Sequence, residues 1–193
     1  YPAWQKALFA HQERWLLRHA PAATCASREL VRMAQAVRGT AAGLHYLPNG
    51  AEPWPVADPA QVGALRARLG LAADRPVLLL YTRFVECPPA RFARLLAQVA
   101  ALGCAPTVLQ VGTGIHGQEA DLRQALAANG VALPLVQAGW VDAADLPAYL
   151  ALADAALFPM EDTVINRTKC SVKLVDLLSA GVPVAAEAVG QSA

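Results

Sequence analysis

The chain has 193 residues and a formal net charge of +1, with 55% hydrophobic and 16% charged residues. That length fits one domain, or one plus part of another. The apolar fraction excludes a disordered chain, and the charge balance lacks the basic stripe that a nucleic-acid module needs.

The start of the chain, residues 1–6, lacks the basic-then-apolar order of a secretory signal. Apolar groups at Trp4, Leu8, Trp15 and Leu16 with charges between them predict an amphipathic helix over 3–19. A short strand is expected over 22–25. Ser27 then caps a helix over 28–37 that stops near Gly39. A second short strand, 44–47, contains His45, read as a core or interface histidine. The turn Pro48-Asn49-Gly50 closes it, and three of the 14 prolines mark 51–59 as a connection.

Beyond this point the pattern becomes regular. Helices are expected over 61–69, 90–101, 118–128, 147–153 and 171–180, the last burying Leu174, Leu177 and Leu178. Between them lie apolar strands over 76–81, 107–111, 133–137, 154–158 and 182–185. The uncharged run 95–118 is broken by Gly103, Pro106, Gly112 and Gly114, which excludes a continuous spanning helix. Continuous apolar strands alternating with helices predict the α/β class, a doubly wound, Rossmann-like parallel sheet. Ligands of such sheets bind beyond the carboxyl ends of the strands, so functional residues are expected just after Tyr81, Val111, Gln137 and Phe158.

The four cysteines, Cys25, Cys87, Cys104 and Cys170, contain no C-x-x-C pair. This argues against zinc and against a disulfide framework, and fits reduced, mostly buried thiols in a cytoplasmic protein. No metal-ligand pair and no Ser/His/Asp or Cys/His arrangement stands out, and His116 reads as an exposed loop residue.

Gly112-Thr113-Gly114-Ile115-His116-Gly117 is a formal G-x-G-x-x-G between a strand and a helix. It could hold a dinucleotide such as NAD. Against that, no acidic residue ends the next strand to hold a ribose, and the motif does not follow the first strand of its unit. A glycine loop bordering a different nucleotide site is the preferred reading. Thr82-Arg83 follows the strand 76–81, where an arginine can meet an anion or pair with Glu86 at the surface. The densest polar segment is 159–173, which holds two of the three lysines. If helical spacing holds from Lys169, then Lys169, Lys173 and Asp176 share a face. Free amides at Cys170, Ser171 and Val172, a helix dipole and two ammonium groups would form a diphosphate cradle. Asp176 could then accept a ribose diol. The competing structural reading is a solvated helix start with a Lys173–Asp176 surface pair.

Five ordered stretches resemble the group 1 family of GT-B glycosyltransferases, which use nucleotide-sugar donors. Leu47-Pro-Asn-Gly-Ala51 resembles the P-N-G turn opening the family's C-terminal domain. Leu80-Tyr-Thr-Arg-Phe84 resembles its strand-plus-G-R-L segment, and Val111-Gly-Thr-Gly114 its V-G-x-G loop. Gly139-Trp-Val-Asp-Ala-Ala-Asp-Leu146 with Ala153-Asp-Ala155 resembles G-x-V-x-x-x-x-L and the following A-D. Lys173-Leu-Val-Asp-Leu-Leu-Ser-Ala-Gly-Val-Pro-Val184 resembles K-L-x-E-x-x-A-x-G-x-P-V. The likeness covers about residues 22–193.

The resemblance implies a retaining transferase that clamps a UDP- or GDP-type sugar donor between two domains, without a cofactor or a metal. Residues 1–47 would end the N-terminal, acceptor-side domain. Residues 48–193 would be the C-terminal donor domain, cut short at its end, and this piece alone would be inactive. Arg83 and Lys173 are the expected catalytic residues. Donor contacts are expected from Thr82, Gly112, Gly114, Trp140, Val141, Thr168, Lys169, Cys170, Ser171, Val172 and Asp176. The acceptor is unknown, no nucleic-acid partner is expected, and peripheral membrane association is left open. The departures are a Thr at 82 for the family's Gly, Pro88 for its Lys, Thr168 for the first Glu of E-x7-E, and Asp176 for the second. Lys169 or Lys173 would replace the missing lysine. These departures keep a non-catalytic nucleotide-binding or assembly module open as an alternative, and the glycine loop keeps an NAD-type oxidoreductase open.

Overall fold

The computed structural model describes residues 1–193. Helix α1 spans Ala3–His19, strand β1 Ala23–Cys25, helix α2 Arg28–Arg38 and strand β2 Leu44–Tyr46. Ser27 caps α2 as expected: its hydroxyl accepts the Leu30 N–H at 3.1 Å, which satisfies one of the orphan donors of the first turn. Then come α3 (Pro59–Arg68), β3 (Val77–Tyr81), α4 (Pro89–Ala101), β4 (Thr107–Val111) and α5 (Gln118–Ala128). The remainder is β5 (Leu135–Gly139), α6 (Leu146–Ala151), β6 (Ala155–Phe158), α7 (Val164–Thr168), α8 (Val172–Ser179), β7 (Val184–Ala186) and a 3-10 turn, Gly190–Ser192.

These elements form two compact units. The first holds Tyr1–Asn49, Asp162–Ser171 and Ala188–Ala193, and contains the parallel pair β1–β2. No residue of α1 is buried. Arg38 donates to the Leu17 and Ala20 carbonyls at 2.6 and 2.9 Å, tying the end of α2 to the end of α1.

The second unit, Gly50–Glu161 and Val172–Glu187, is a five-stranded parallel sheet in the order β5-β4-β3-β6-β7. This is the doubly wound, Rossmann-like α/β class expected from the alternating pattern. The inner strands β3 and β4 are buried on both faces, which is why residues 77–80 are a continuous apolar run and β4 is apolar except for the buried Thr107 and Gln110. Leu78, Leu80 and Val108 pack against Phe92, Leu96, Leu122 and Leu126 of α4 and α5.

Several details differ from the sequence expectations. Strand β5 runs two residues later than 133–137. Pro134 has no N–H to give a ladder, and its carbonyl instead accepts the Val108 N–H at 2.8 Å. Helix α7 is an additional element: Thr163 caps it at the Asn166 N–H, and five residues are too few to show a helical period. Because α8 begins only at Val172 and Lys169 is extended at φ −73 and ψ 145, helical spacing does not hold from Lys169. Leu177 is buried, but Leu178 is 60% exposed. His45 is exposed on the edge of a two-stranded pair. All four thiols are free, with Cys25 and Cys87 buried and Cys104 exposed. No helix is long and apolar enough to cross a membrane.

Candidate functional site

In the second unit the chain moves from β3 outward to β4 and β5, then resumes on the other side of β3 with β6 and β7. The order therefore reverses between β3 and β6, and open sheets bind ligands in the crevice at such a reversal.

Two groups of side chains flank the end of β3. The first is built on the turn that follows the strand. Thr82 is buried; its N–H donates to the Val111 carbonyl at 2.9 Å and its hydroxyl accepts the Phe84 N–H at 2.8 Å. This turn holds Phe84 in the left-handed region at φ 60, a conformation that costs a non-glycine residue on the order of 1–3 kcal/mol. Packing of Phe84 edge-to-face against Phe92 helps to offset that cost. Arg83, between these two anchored residues, is exposed. Its Nε donates to the Thr113 carbonyl at 3.4 Å, and its guanidinium carbon lies 5.9 Å from the centre of the Trp140 ring. Gly112 supports the same corner from β4: its N–H donates to the Gly139 carbonyl at 2.8 Å. Thr82, Arg83, Gly112 and Trp140 thus come together, with Val141 next to Trp140 in the chain.

Two further amides of the glycine loop are already engaged. Gly114 N–H donates to Glu119 Oε1 at 2.6 Å, and His116 N–H to Gln118 Oε1 at 2.8 Å. A pyrophosphate at this helix start would meet the Glu119 carboxylate and two amides that already have acceptors, which disfavours the dinucleotide reading.

The second group joins β3 to α8. Tyr81, the last residue of β3, hydrogen-bonds the Asp176 carboxylate. Asp176 is only 7% exposed and lines a pocket of about 270 Å³ with Val172, Gly50 and Trp54. Burial raises the Asp176 pKa above its ordinary value, while the Lys173 charge and the Tyr81 hydroxyl pull it down. Burial, together with the Asp176 charge and hydrogen bond, raises the Tyr81 pKa. Lys173 Nζ donates to Glu86 Oε1 at 3.2 Å. Glu86 is therefore the ion-pair partner of Lys173, and Asp176 is a buried group bonded to Tyr81 rather than half of a surface pair. Sequence reasoning assigns no role to Tyr81 and offers Glu86 only as a surface partner of Arg83, whereas Glu86 pairs with Lys173. A polar hydroxyl ending an apolar strand is the one signal that could have pointed to Tyr81.

Thr168, Lys169, Cys170 and Ser171 belong to the first unit. There Thr168 Oγ1 donates to the Ile165 carbonyl at 2.8 Å. Asn49 of the Pro-Asn-Gly turn holds Cys170 at two points, its Nδ2 donating to the carbonyl at 2.8 Å and its N–H to Sγ at 3.3 Å. No group of three or more His, Cys, Asp or Glu side chains is arranged to hold a metal ion.

Comparison with known proteins now bears on this site. The chain is 30% identical over 190 residues to the 2-deoxystreptamine glucosyltransferase of Streptomyces kanamyceticus, covering 96% of this chain and 47% of that enzyme. It superposes on Anabaena HepE solved with UDP-glucose at a TM-score of 0.70 and 20% identity, over 92% of this chain and 47% of that one. The chain is similar in sequence to a glucosyltransferase and shares the fold of one half of these glycosyltransferase structures. WaaG, a glycosyltransferase of lipopolysaccharide biosynthesis, gives a TM-score of 0.67 at 19% identity over 86% of this chain and 44% of that one. No family model matches. The chain spans about half the length of these relatives.

Proposed function

We propose that the chain is the donor-binding half of a glycosyltransferase that moves a sugar from a nucleoside diphosphate to an acceptor. The observation that carries this reading is the pair of cationic side chains, Arg83 and Lys173, on elements that meet at the end of β3, beside the reversal in strand order. A departing nucleoside diphosphate gains negative charge as the glycosidic bond breaks, and fixed cations and amides placed where that charge develops lower the barrier. Arg83 and Lys173 are assigned that role. Asp176 is assigned to the ribose, with the pocket it lines as the entry, and Trp140 and Val141 to the border of the base. Thr82, Gly112 and Gly114 shape the corner. Thr168–Ser171, which leads directly into α8, is included on its sequence position. HepE binds UDP-glucose, so UDP is the first nucleotide to test, with GDP beside it.

We further assign residues 1–47 to the acceptor-side domain and 48–193 to the donor domain, with retention of anomeric configuration. The free thiols favour a cytoplasmic setting. Thermal unfolding in the presence of UDP, UDP-glucose, GDP or NAD tests the reading. Stabilisation by a sugar nucleotide or its nucleoside diphosphate is expected, since a ligand of the native state alone raises Tm by mass action. Stabilisation by NAD alone would overturn it.

A further inference from the structure

The Lys173–Glu86 pair is poorly explained as a stabilising device. Lys173 lies in the first turn of α8, where the helix dipole disfavours a cation and where no acidic residue is present. Its side chain is 19% exposed and that of Glu86 11%, so both charges have lost most of their water. Enclosed ion pairs contribute little net stability, because desolvation offsets their attraction. What the pair does provide is geometry. Lysine is a flexible stem carrying a point charge, and Glu86 fixes where that charge sits. The backbone of Glu86 is itself fixed: its carbonyl accepts the Glu161 N–H at 3.2 Å, joining the loop after β3 to the segment after β6 across the strand reversal. The same loop carries Arg83, three residues earlier.

We propose that Glu86 is a positioning residue that holds the Lys173 ammonium in place for the leaving diphosphate. This rests on the donor-site reading above. It has a consequence that a purely structural salt bridge would not share. The Glu86 carboxylate repels a bound diphosphate in the ground state while orienting the cation that stabilises it in the transition state. Removing it should therefore act on kcat and on donor KM in different directions.

The test is steady-state kinetics with UDP-glucose on the natural protein that carries this chain, using Glu86→Gln, Glu86→Asp, Lys173→Ala and the Glu86→Gln/Lys173→Ala double variant, each checked by thermal unfolding. Lys173→Ala should lower kcat by about a hundredfold or more, as loss of a transition-state donor does. Glu86→Gln should lower kcat by about tenfold through misplacement, with donor KM unchanged or lower. Glu86→Asp, if it reaches Lys173, should recover part of the loss, and it serves as the working variant if the glutamine variant does not fold. The double variant should be no slower than Lys173→Ala alone. A kcat for Glu86→Gln within twofold of wild type, a rise in KM alone, or a further loss in the Lys173→Ala background would overturn the proposal. Wild-type protein that neither binds nor turns over any sugar nucleotide would overturn the donor-site reading and this proposal with it.

Discussion

Gly112→Ala tests the corner that carries Arg83. Gly112 has φ +107, where side chains other than hydrogen are rarely found, and an added Cβ would lie 2.4 Å from the Thr82 carbonyl oxygen and 3.2 Å from its carbon. The backbone strain costs on the order of 1–3 kcal/mol, and relieving the overlap roughly another 1–3 kcal/mol. The oxygen is backbone and cannot rotate away, so Thr82 and with it Arg83 must move. A combined loss of about 4 kcal/mol lowers Tm by roughly 8–16 °C for a chain of this size. Gly103→Ala is the control, because Gly103 also has positive φ, at +79, but nothing lies within 4 Å of its added Cβ. Strain alone should cost it about 1–2 kcal/mol. Thermal unfolding by circular dichroism compares the two variants with wild type. Equal losses in both, or a Gly112→Ala Tm within about 2 °C of wild type, would refute the overlap argument.

Two further outcomes follow from the titratable groups. Burial raises the Asp176 pKa above its ordinary value of 3.8, and Lys173 and Tyr81 only partly oppose it. The native state therefore keeps this proton to higher pH than the unfolded chain, and stability falls as pH rises from 3.8 through the raised value. Asp176→Asn is expected to match or exceed wild-type Tm at pH 7, with the difference closing below the ordinary carboxylate range. A variant less stable at pH 7 that becomes equal on acidification would reverse the sign. Burial, opposed by the Arg91 charge and aided by the carboxylates of Glu161 and Glu187, pushes the Cys87 thiol up to about 12. In native protein at pH 8, maleimide should label the exposed Cys104 and spare Cys87, as read by mass spectrometry. Labelling of both at similar rates would contradict this.

Much of the fold was legible because inner parallel strands leave an unambiguous trace. Residues 77–80 and Thr107–Val111 are buried on both faces, and their mostly apolar sequences, broken in β4 only by Thr107 and Gln110, place them almost to the residue. The Ser27 cap was readable for a similar reason, since one side chain and one local N–H decide it. What escaped the sequence depends on contacts between distant residues. Nothing near Glu86 indicates that its partner is Lys173, 87 positions away. Tyr81 and Asp176 meet only because α8 packs beside the end of β3. The short helix α7 is set by the Thr163 cap, on too short a segment for periodicity to reveal. The glycine loop is the converse case: its spacing alone allows a dinucleotide cradle, which the sequence context already disfavours, and Glu119 and Gln118 occupy two of its amides.

The central claim is that a nucleoside diphosphate binds at the carboxyl end of β3 through Arg83. Isothermal titration of UDP and of uridine into wild type and Arg83→Ala measures it directly. The account predicts that wild type binds UDP more tightly than uridine. Arg83→Ala should weaken UDP by roughly tenfold or more, the scale of one charge-assisted contact, with uridine changed little. Undiminished preference for UDP in the Arg83→Ala variant would contradict it.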